Sequence, residues 1–237
     1  IIAAESPNAL VNAFVILPDI EKRLDAFVRL GHSFIVFPGG VGTTEEILYL
    51  AGILLHPENA GLPFPIIFTG PKESAAYFEQ IDYFLGGILG HQVRKLYRII
   101  IGQPEEVAQS IQAHVAAVQN HRRDSGDAFY FNWMLKIDRA LQEPFHPTHA
   151  NMADLPLNES LPPHELATNL RRLFSGIVAG NVKDEGIRAV EQNGPFLLNG
   201  QQRLLSMLDR LLSAFCEQQR MKLPGHAEYQ PCYRLVA

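Results

Sequence analysis

We begin with residues 34–48, whose sequence is FIVFPGGVGTTEEIL. A short apolar run ends at Pro38, two glycines follow, and a Gly-Thr step leads into a helical pattern that opens with two acids. This order predicts a strand, a tight glycine turn and the N-terminus of a helix. Such a turn gathers unpaired backbone N–H groups at the positive end of a helix dipole, and that arrangement suits a phosphate group.

The same residues also have a purely structural interpretation. Thr43 and Glu46 have the spacing of a capping box, in which each side chain accepts a backbone amide of the first helical turn. Gly39, Gly40 and Gly42 could serve only to permit positive φ in a tight turn. Taken alone, the turn leaves a phosphate site and a capped helix both open.

The chain around this turn alternates between strand and helix patterns. Strands are predicted at residues 13–17, 33–37, 65–69 and 98–101, and helices at residues 20–30, 43–55, 77–89 and 104–118. We expect Asp19 to cap the first helix and Gly31 to end it. Alternation with short connections predicts right-handed βαβ units, hence an α/β fold with a Rossmann-like, doubly wound parallel sheet.

The pattern changes near residue 121. An aromatic-rich helix is predicted at 129–141, an irregular proline-rich stretch at 143–163, helices at 166–178, 183–192 and 201–219, and a terminal strand at 229–236. We therefore divide the chain into a nucleotide-binding domain at residues 1–120 and a mainly helical domain at residues 121–237.

Composition excludes several classes of function. The net charge of -5 and the scattered Lys and Arg residues leave no basic stripe for a nucleic acid. No apolar run approaches the roughly 20 residues that span a membrane. Cys216 and Cys232 lack metal-site spacing, and without a secretory signal we expect both to stay reduced in the cytoplasm. A metal site at His146, His149 and Asp154 is weighed against a simple surface loop, which we favour.

Arg23 lies on the helix that precedes the central strand, fifteen residues before Pro38. It could belong to a solvated face with its charged neighbours. In a doubly wound sheet, however, that helix begins at the same edge as the glycine turn, so Arg23 could also face a ligand there.

The two elements together carry a resemblance. DIEKR at residues 19–23, followed by PGGVGTTEE at residues 38–46, resembles the LONELY GUY family of nucleotide phosphoribohydrolases. That family's signature is an Arg on the helix before a Pro-Gly-Gly-x-Gly-Thr-x-x-Glu turn, and the likeness covers roughly residues 12–118. ILPDIEKR at residues 16–23, with the long C-terminal extension, is similar to a longer bacterial branch, the pyrimidine/purine nucleotide 5'-monophosphate nucleosidases. The family's N-terminal glycine-rich strand and turn are absent here, so we expect an N-terminal part of the sheet to be missing from this chain.

The resemblance implies cleavage of the N-glycosidic bond of a nucleoside 5'-monophosphate to free base and ribose 5-phosphate, without metal or cofactor. Such bonds break through an oxocarbenium-like transition state that a carboxylate stabilises. By position, Glu46 would be that carboxylate, Arg23 the catalytic arginine, and Glu45 a ligand of the ribose hydroxyls. The 5'-phosphate is expected on Gly39, Gly40, Gly42 and Thr43. Some family members were labelled lysine decarboxylases, but no lysine here stands out as a pyridoxal phosphate anchor.

The bacterial branch is regulated by guanosine tetra- and pentaphosphate alarmones, and Arg122 with Arg123 forms the best local basic concentration for such an effector. The resemblance also implies a homo-oligomer, a dimer or tetramer, with active sites near subunit contacts. The aromatic residues at 129–133 are interpreted as an interdomain or subunit core. Two alternatives stay open: a cytokinin-activating phosphoribohydrolase with the same chemistry, and a nucleotide-binding sensor without catalysis.

Overall fold

The computed structural model describes residues 9–13, 15–221 and 231–236. A parallel three-stranded sheet with strand order β1-β2-β3 lies in the first half. Its strands are β1 (Phe34–Val36), β2 (Ile66–Gly70) and β3 (Tyr97–Ile101), and the flanking helices are α1 (Ile20–Leu30), α2 (Val41–Leu54), α3 (Ala75–Leu89) and α4 (Pro104–Ser125). In register, Ile66 of β2 pairs with Phe34 on one side and with Tyr97 on the other. The predicted α/β fold is confirmed.

Apolar side chains of the middle strand alternate between two helical layers. Ile66 and Phe68 join the large apolar cluster, whereas Ile67 packs with Ile100 and with Val107 of α4 on the opposite face. A strand buried on both faces needs a continuous apolar run, which residues 66–68 provide. The sheet is therefore covered by helices on both sides.

The second half is mainly helical, as predicted. Its elements are α5 (Arg139–Gln142), α6 (His149–Ala153), α7 (Pro163–Val182), α8 (Asp184–Asn193) and α9 (Gln202–Glu217), with a parallel strand pair formed by β4 (Phe196–Asn199) and β5 (Tyr233–Val236). β4 was not predicted, and residues 229 and 230 of the predicted terminal strand lie outside the described part. Among the described helices, none has the length and apolar character needed to cross a membrane.

Helix α7 packs along α2, and this contact joins the two halves of the chain. Leu48 of α2 and Leu170 of α7 are fully buried in one cluster that also includes Leu24 of α1. At Gly52 an added methyl group would lie 2.9 Å from Oγ1 of Thr168, so a small residue allows the helices to approach closely. The helix that carries the glycine turn is thus held by the C-terminal region, and the proposed domain boundary near residue 120 stays a prediction.

The predicted strand at residues 13–17 is wrong for its described residues. Residue 14 lies outside the description, and residues 13 and 15–17 form no strand. Val15 and Ile16 are 77% and 82% exposed. Among the described residues this apolar run pairs with no strand of the sheet, and apolar character alone does not make a strand.

The predicted helix at residues 129–141 is also wrong, apart from its last residues in α5. The carboxylate of Asp127 accepts the amides of Ala128 and Trp133, and the side chain of Asn132 accepts the amide of Leu135. Side-chain oxygens that take backbone amides in this way compete with the helical ladder. The segment is therefore irregular.

Candidate functional site

The glycine turn leads from β1 directly into α2, which begins at Val41 with Gly40 as its N-cap. In the described part of the chain no side chain caps this end, and the first intrahelical bond near it joins the amide of Thr44 to the carbonyl of Gly40 at 3.2 Å. The capping box predicted for Thr43 and Glu46 is therefore wrong, because both residues lie inside the first turns of the helix. The amides at the start of α2 before Thr44 have no partner within the helix, as at any helix start, and amides of this kind are common ligands of anions.

The three glycines of the turn do not serve positive φ, so that prediction is wrong too; Gly40, for example, has φ of -114°. They differ in what surrounds them. A methyl group at Gly39 would overlap the side chain of Thr43, and one at Gly40 would collide with the backbone carbonyl of Arg220. At Gly42, in contrast, no heavy atom of the described residues, apart from its chain neighbours and the backbone of its own helix, lies within 4 Å of the position a methyl group would take. Packing explains the first two glycines, whereas Gly42 faces open space at the helix start.

Arg23 and Glu46 meet beside this turn. Nη2 of Arg23 donates to Oε1 of Glu46 at 3.1 Å, which joins α1 to α2. The two side chains are 46% and 43% exposed, so both can still reach a ligand. Burial against the surrounding apolar groups raises the pKa of Glu46, and the nearby Arg23 opposes that rise through its charge and its hydrogen bond. The pair predicted from sequence spacing is thus in direct contact.

A cavity of about 280 Å³ opens next to the pair. Thr43, Glu46 and Tyr49 provide the polar side chains of its lining, and the remaining walls are apolar: Leu24, Phe27, Val28, Phe34, Ile35, Val36, Phe37, Ile47 and Leu50. Its volume lies near the lower end of the roughly 300–1,000 Å³ typical of small-molecule pockets. Apolar walls with one charged end suit a ligand that has a flat ring on one side and polar groups on the other.

Glu45 faces the other way from its neighbour Glu46. Its carboxylate lies 3.0 Å from Nη2 of Arg171 on α7, and the same guanidinium lies 2.6 Å from Glu21 of α1. Burial raises the pKa of Glu45, opposed chiefly by Arg171. Glu45 does not line the cavity, and binding of ribose hydroxyls by its carboxylate stays a prediction. Sequence reasoning missed Arg171, because an arginine between apolar helix residues gives no signal of its partners.

The two arginines predicted as an effector site have different surroundings. Arg122 is only 3% exposed, and its guanidinium donates to the carbonyls of Phe129 and Gly31 at 3.2 and 3.3 Å. Burial lowers the pKa of Arg122. Arg123, next in sequence, is exposed. The fold uses Arg122 to close the end of α4 against α1, and only Arg123 presents its charge to solvent.

Among the described residues, one group of possible metal ligands brings its atoms within 4.8 Å of one another: His56, Asp138 and His164. Nδ1 of His56 accepts the amide of Glu58 at 3.2 Å, and this bond places the ring proton on Nε2, which lies 3.6 Å from Asp138. A metal on Nε2 would have to displace that proton. The cluster fits a polar contact between helix ends better than a metal centre, and His149 of the proline-rich stretch contacts the carbonyl of Gly194 instead.

Two known protein-family models match the sequence of this chain. A family model described as "Pyrimidine/purine nucleotide monophosphate nucleosidase, C-terminal" matches residues 115–236, about half of the chain. The chain belongs to this family. A second model, "Possible lysine decarboxylase", matches residues 1–111. The resemblance to the LONELY GUY family and its bacterial nucleosidase branch is thereby confirmed.

Curated relatives agree with this assignment. The pyrimidine/purine nucleotide 5'-monophosphate nucleosidase of Escherichia coli strain K12 is 54% identical over 235 residues, which cover 99% of this chain and 52% of the relative. The proteins of the same name from Escherichia coli O6:H1 and O157:H7 match equally. The chain spans about half the length of the curated relatives it matches.

Proposed function

We propose that this chain carries the catalytic residues of a nucleoside 5'-monophosphate nucleosidase, which hydrolyses the N-glycosidic bond to free base and ribose 5-phosphate. The observation that carries the proposal is the Arg23–Glu46 pair, 3.1 Å apart and half-exposed, at the end of the apolar cavity and beside the uncapped start of α2. The names of the relatives and of the matching family support the reaction class.

Each part of the substrate has a counterpart in this arrangement. The 5'-phosphate would lie on the free amides of the first turn of α2, near Gly42 and the hydroxyl of Thr43, where the helix dipole favours negative charge. The base would lie against the apolar walls of the cavity, which include Phe27, Phe34 and Phe37. This placement puts the sugar between the two, within reach of Glu46.

The reaction then follows from the charge of the pair. As the bond between C1' of the ribose and the base nitrogen breaks, its electrons leave with the base and positive charge develops on the sugar. The carboxylate of Glu46 stabilises that charge and orients the water whose oxygen bonds to C1'. One water proton goes to the departing base, and the other stays on the new C1' hydroxyl of ribose 5-phosphate. Arg23 holds the carboxylate in place and lowers its pKa against the effect of burial.

The test is release of ribose 5-phosphate from AMP, GMP, CMP or UMP by the intact protein. Glu46→Gln should lower kcat by about 100-fold or more, the usual scale for loss of a general base. Glu106→Gln is the matched control, because Glu106 pairs with Arg98 at the same 3.1 Å and with side chains 54% and 41% exposed. Full activity in Glu46→Gln would remove the catalytic assignment.

The same assay separates the alternatives. Tight nucleotide binding without turnover would make the protein a sensor in which Arg23 and Glu46 only bind. Turnover confined to base-modified adenosine monophosphates would indicate the cytokinin-activating reaction, because the chemistry is shared and only the base pocket differs.

Regulation by guanosine tetra- or pentaphosphate is part of the proposal, with Arg123 as the residue whose charge is free for the effector. Titration of either alarmone against Arg123→Ala should show weakened binding. Unchanged affinity would exclude this location.

A homo-oligomer, dimer or tetramer, is also proposed. Phe129, Tyr130, Trp133 and Met134 are 43%, 75%, 69% and 59% exposed in the single chain. Large apolar side chains grouped on a surface mark interaction sites more often than isolated ones do. They support the subunit-contact interpretation of this segment over an interdomain core. We further propose a cytoplasmic location, which fractionation of cells would test.

A further inference from the structure

We propose that Arg171 is a positioning residue for the Arg23–Glu46 pair, although it touches neither of them. The proposal rests on the proposed function, since it concerns the geometry of that catalytic pair. Arg171 lies on α7, in the C-terminal half of the chain, and its side chain is completely buried. Its guanidinium joins Glu21 of α1 and Glu45 of α2 at 2.6 and 3.0 Å.

The two carboxylates that Arg171 holds are sequence neighbours of the catalytic pair. Glu21 is two residues before Arg23 on α1, and Glu45 immediately precedes Glu46 on α2. Successive residues of a helix point about 100° apart, so fixing the inner side chain of α2 also fixes the direction of the outer one. The buried contact therefore sets both the separation of the two helices and their rotation.

The catalytic pair lacks the means to hold this geometry by itself. An ion pair between half-exposed side chains is weak, because water competes for both charges. The buried Arg171 contact is shielded from water and salt, and Nη2 of one rigid guanidinium serves both carboxylates. The buried Arg171 contact, rather than the surface ion pair, therefore fixes the placement of Arg23 and Glu46.

Stability alone is a poor explanation for these three charges. Buried ion pairs are often no more stabilising than apolar side chains of similar size, because each charge loses its hydration. One arginine also faces two carboxylates, and the further groups that act on Glu45 are Ser175 and the more distant Lys183. Apolar contacts between α2 and α7 already join the helices. What the charges add is a defined orientation.

The test compares two variants of Arg171 with a neighbour on the same helix. Arg171→Lys keeps the charge but replaces the rigid guanidinium, whose Nη2 meets both carboxylates, with an ammonium on a flexible stem. The double variant Arg171→Met with Glu21→Gln removes the contact without leaving two unpaired buried charges, and it keeps Glu45. Arg172→Met is the control, because Arg172 also lies on α7 and, among the described residues, its guanidinium donates to the carbonyl of Ala140 and lies over the ring of Phe145.

We expect kcat for ribose 5-phosphate release to fall by about 10- to 100-fold in the double variant, the scale of a misplacement of about 1 Å, with KM changed less than about 3-fold. The kcat of Arg171→Lys should lie between those of this variant and the wild type, and the kcat of Arg172→Met should equal that of the wild type. If the double variant does not fold, Arg171→Lys carries the test.

Unchanged kcat in a folded Arg171 variant, or a rise of KM alone, overturns the positioning role while the proposed function stands. Absence of turnover in the wild-type protein overturns the proposed function and this inference with it.

Discussion

The glycine turn yields a prediction in which two neighbouring substitutions have opposite effects on stability. Gly42 is the second residue of α2, and a methyl group there meets no described heavy atom within 4 Å outside its own helix and chain neighbours. Alanine is favoured over glycine in helices by up to about 1 kcal/mol. Gly42→Ala should therefore raise the free energy of unfolding by up to about that amount, which is a rise of roughly 2–4 °C in Tm for a chain of this size.

Gly40→Ala should do the reverse. Its methyl group collides with the backbone carbonyl of Arg220, which is not a flexible side-chain end that can turn away. Overpacking of this kind typically costs about 1–3 kcal/mol, so we expect Tm to fall by several degrees. Thermal unfolding followed by circular dichroism or calorimetry measures both variants against the wild type.

The activity of Gly42→Ala tests the role of the turn in phosphate binding separately from its role in stability. In Gly42→Ala the stabilised protein should bind nucleotide less well, because the methyl group enters the space proposed for the 5'-phosphate. Loss of one hydrogen bond to a charged group, worth about 1.5–3 kcal/mol, predicts a KM at least about 10-fold higher. A destabilised Gly42→Ala would refute the description of this helix start, and a stabilised variant with unchanged KM would refute the phosphate site.

Four further predictions concern the catalytic carboxylate and its arginine, the end of α4 and the exposed aromatic surface. Burial raises the pKa of Glu46, so the ionised carboxylate lowers the stability of the folded protein at a pH above the folded-state pKa. This loss of stability disappears below the unfolded-state pKa. Glu46→Gln should therefore raise Tm at pH 7 but not at about pH 4. Arg23→Gln should move the acid limb of the kcat/KM profile to higher pH, because Arg23 holds that pKa down; an unmoved limb would contradict this. Arg122→Ala should lower stability by about 2 kcal/mol through lost carbonyl contacts, whereas Arg123→Ala should change it by less than about 0.5 kcal/mol in denaturant titrations. Trp133→Glu should shift the assembly to smaller species in light scattering without lowering the helical signal, and an unchanged mass would place the subunit contact elsewhere.

The comparison of sequence and structure shows where pattern reasoning succeeds. The alternation of apolar runs and amphipathic stretches correctly predicted the four helices around the turn and three of the four strands, all but the one at residues 13–17. Both patterns arise because a helix or strand buries apolar side chains on the faces that meet the core. The cap at Asp19 was also correct: its side chain accepts the amide of Lys22 at 2.7 Å. Local signals of this kind require no knowledge of the rest of the chain.

The failures share a physical cause. The irregular segment at residues 129–138 has enough apolar residues for a helix, but side chains of Asp127, Asn132 and the distant Asn59 take its backbone amides. The capping box failed because the N-cap of α2 is Gly40, three residues before Thr43. In both segments backbone amides take other partners than the local pattern suggests: Asn59 accepts the amide of Lys136, and the carbonyl of Gly40 accepts the amide of Thr44.

The sequence by itself identified Arg23, Glu46 and the glycine turn as the site, because a motif fixes residue types and their spacing along the chain. Only the tertiary structure decided that Glu45 turns inward, that Arg122 is enclosed, and that Arg171 lies behind the pair. The Arg171 contacts join residues more than a hundred positions apart when α7 packs on α2, and Arg122 is enclosed where α4 meets Gly31 at the end of α1, so no local spacing encodes either arrangement.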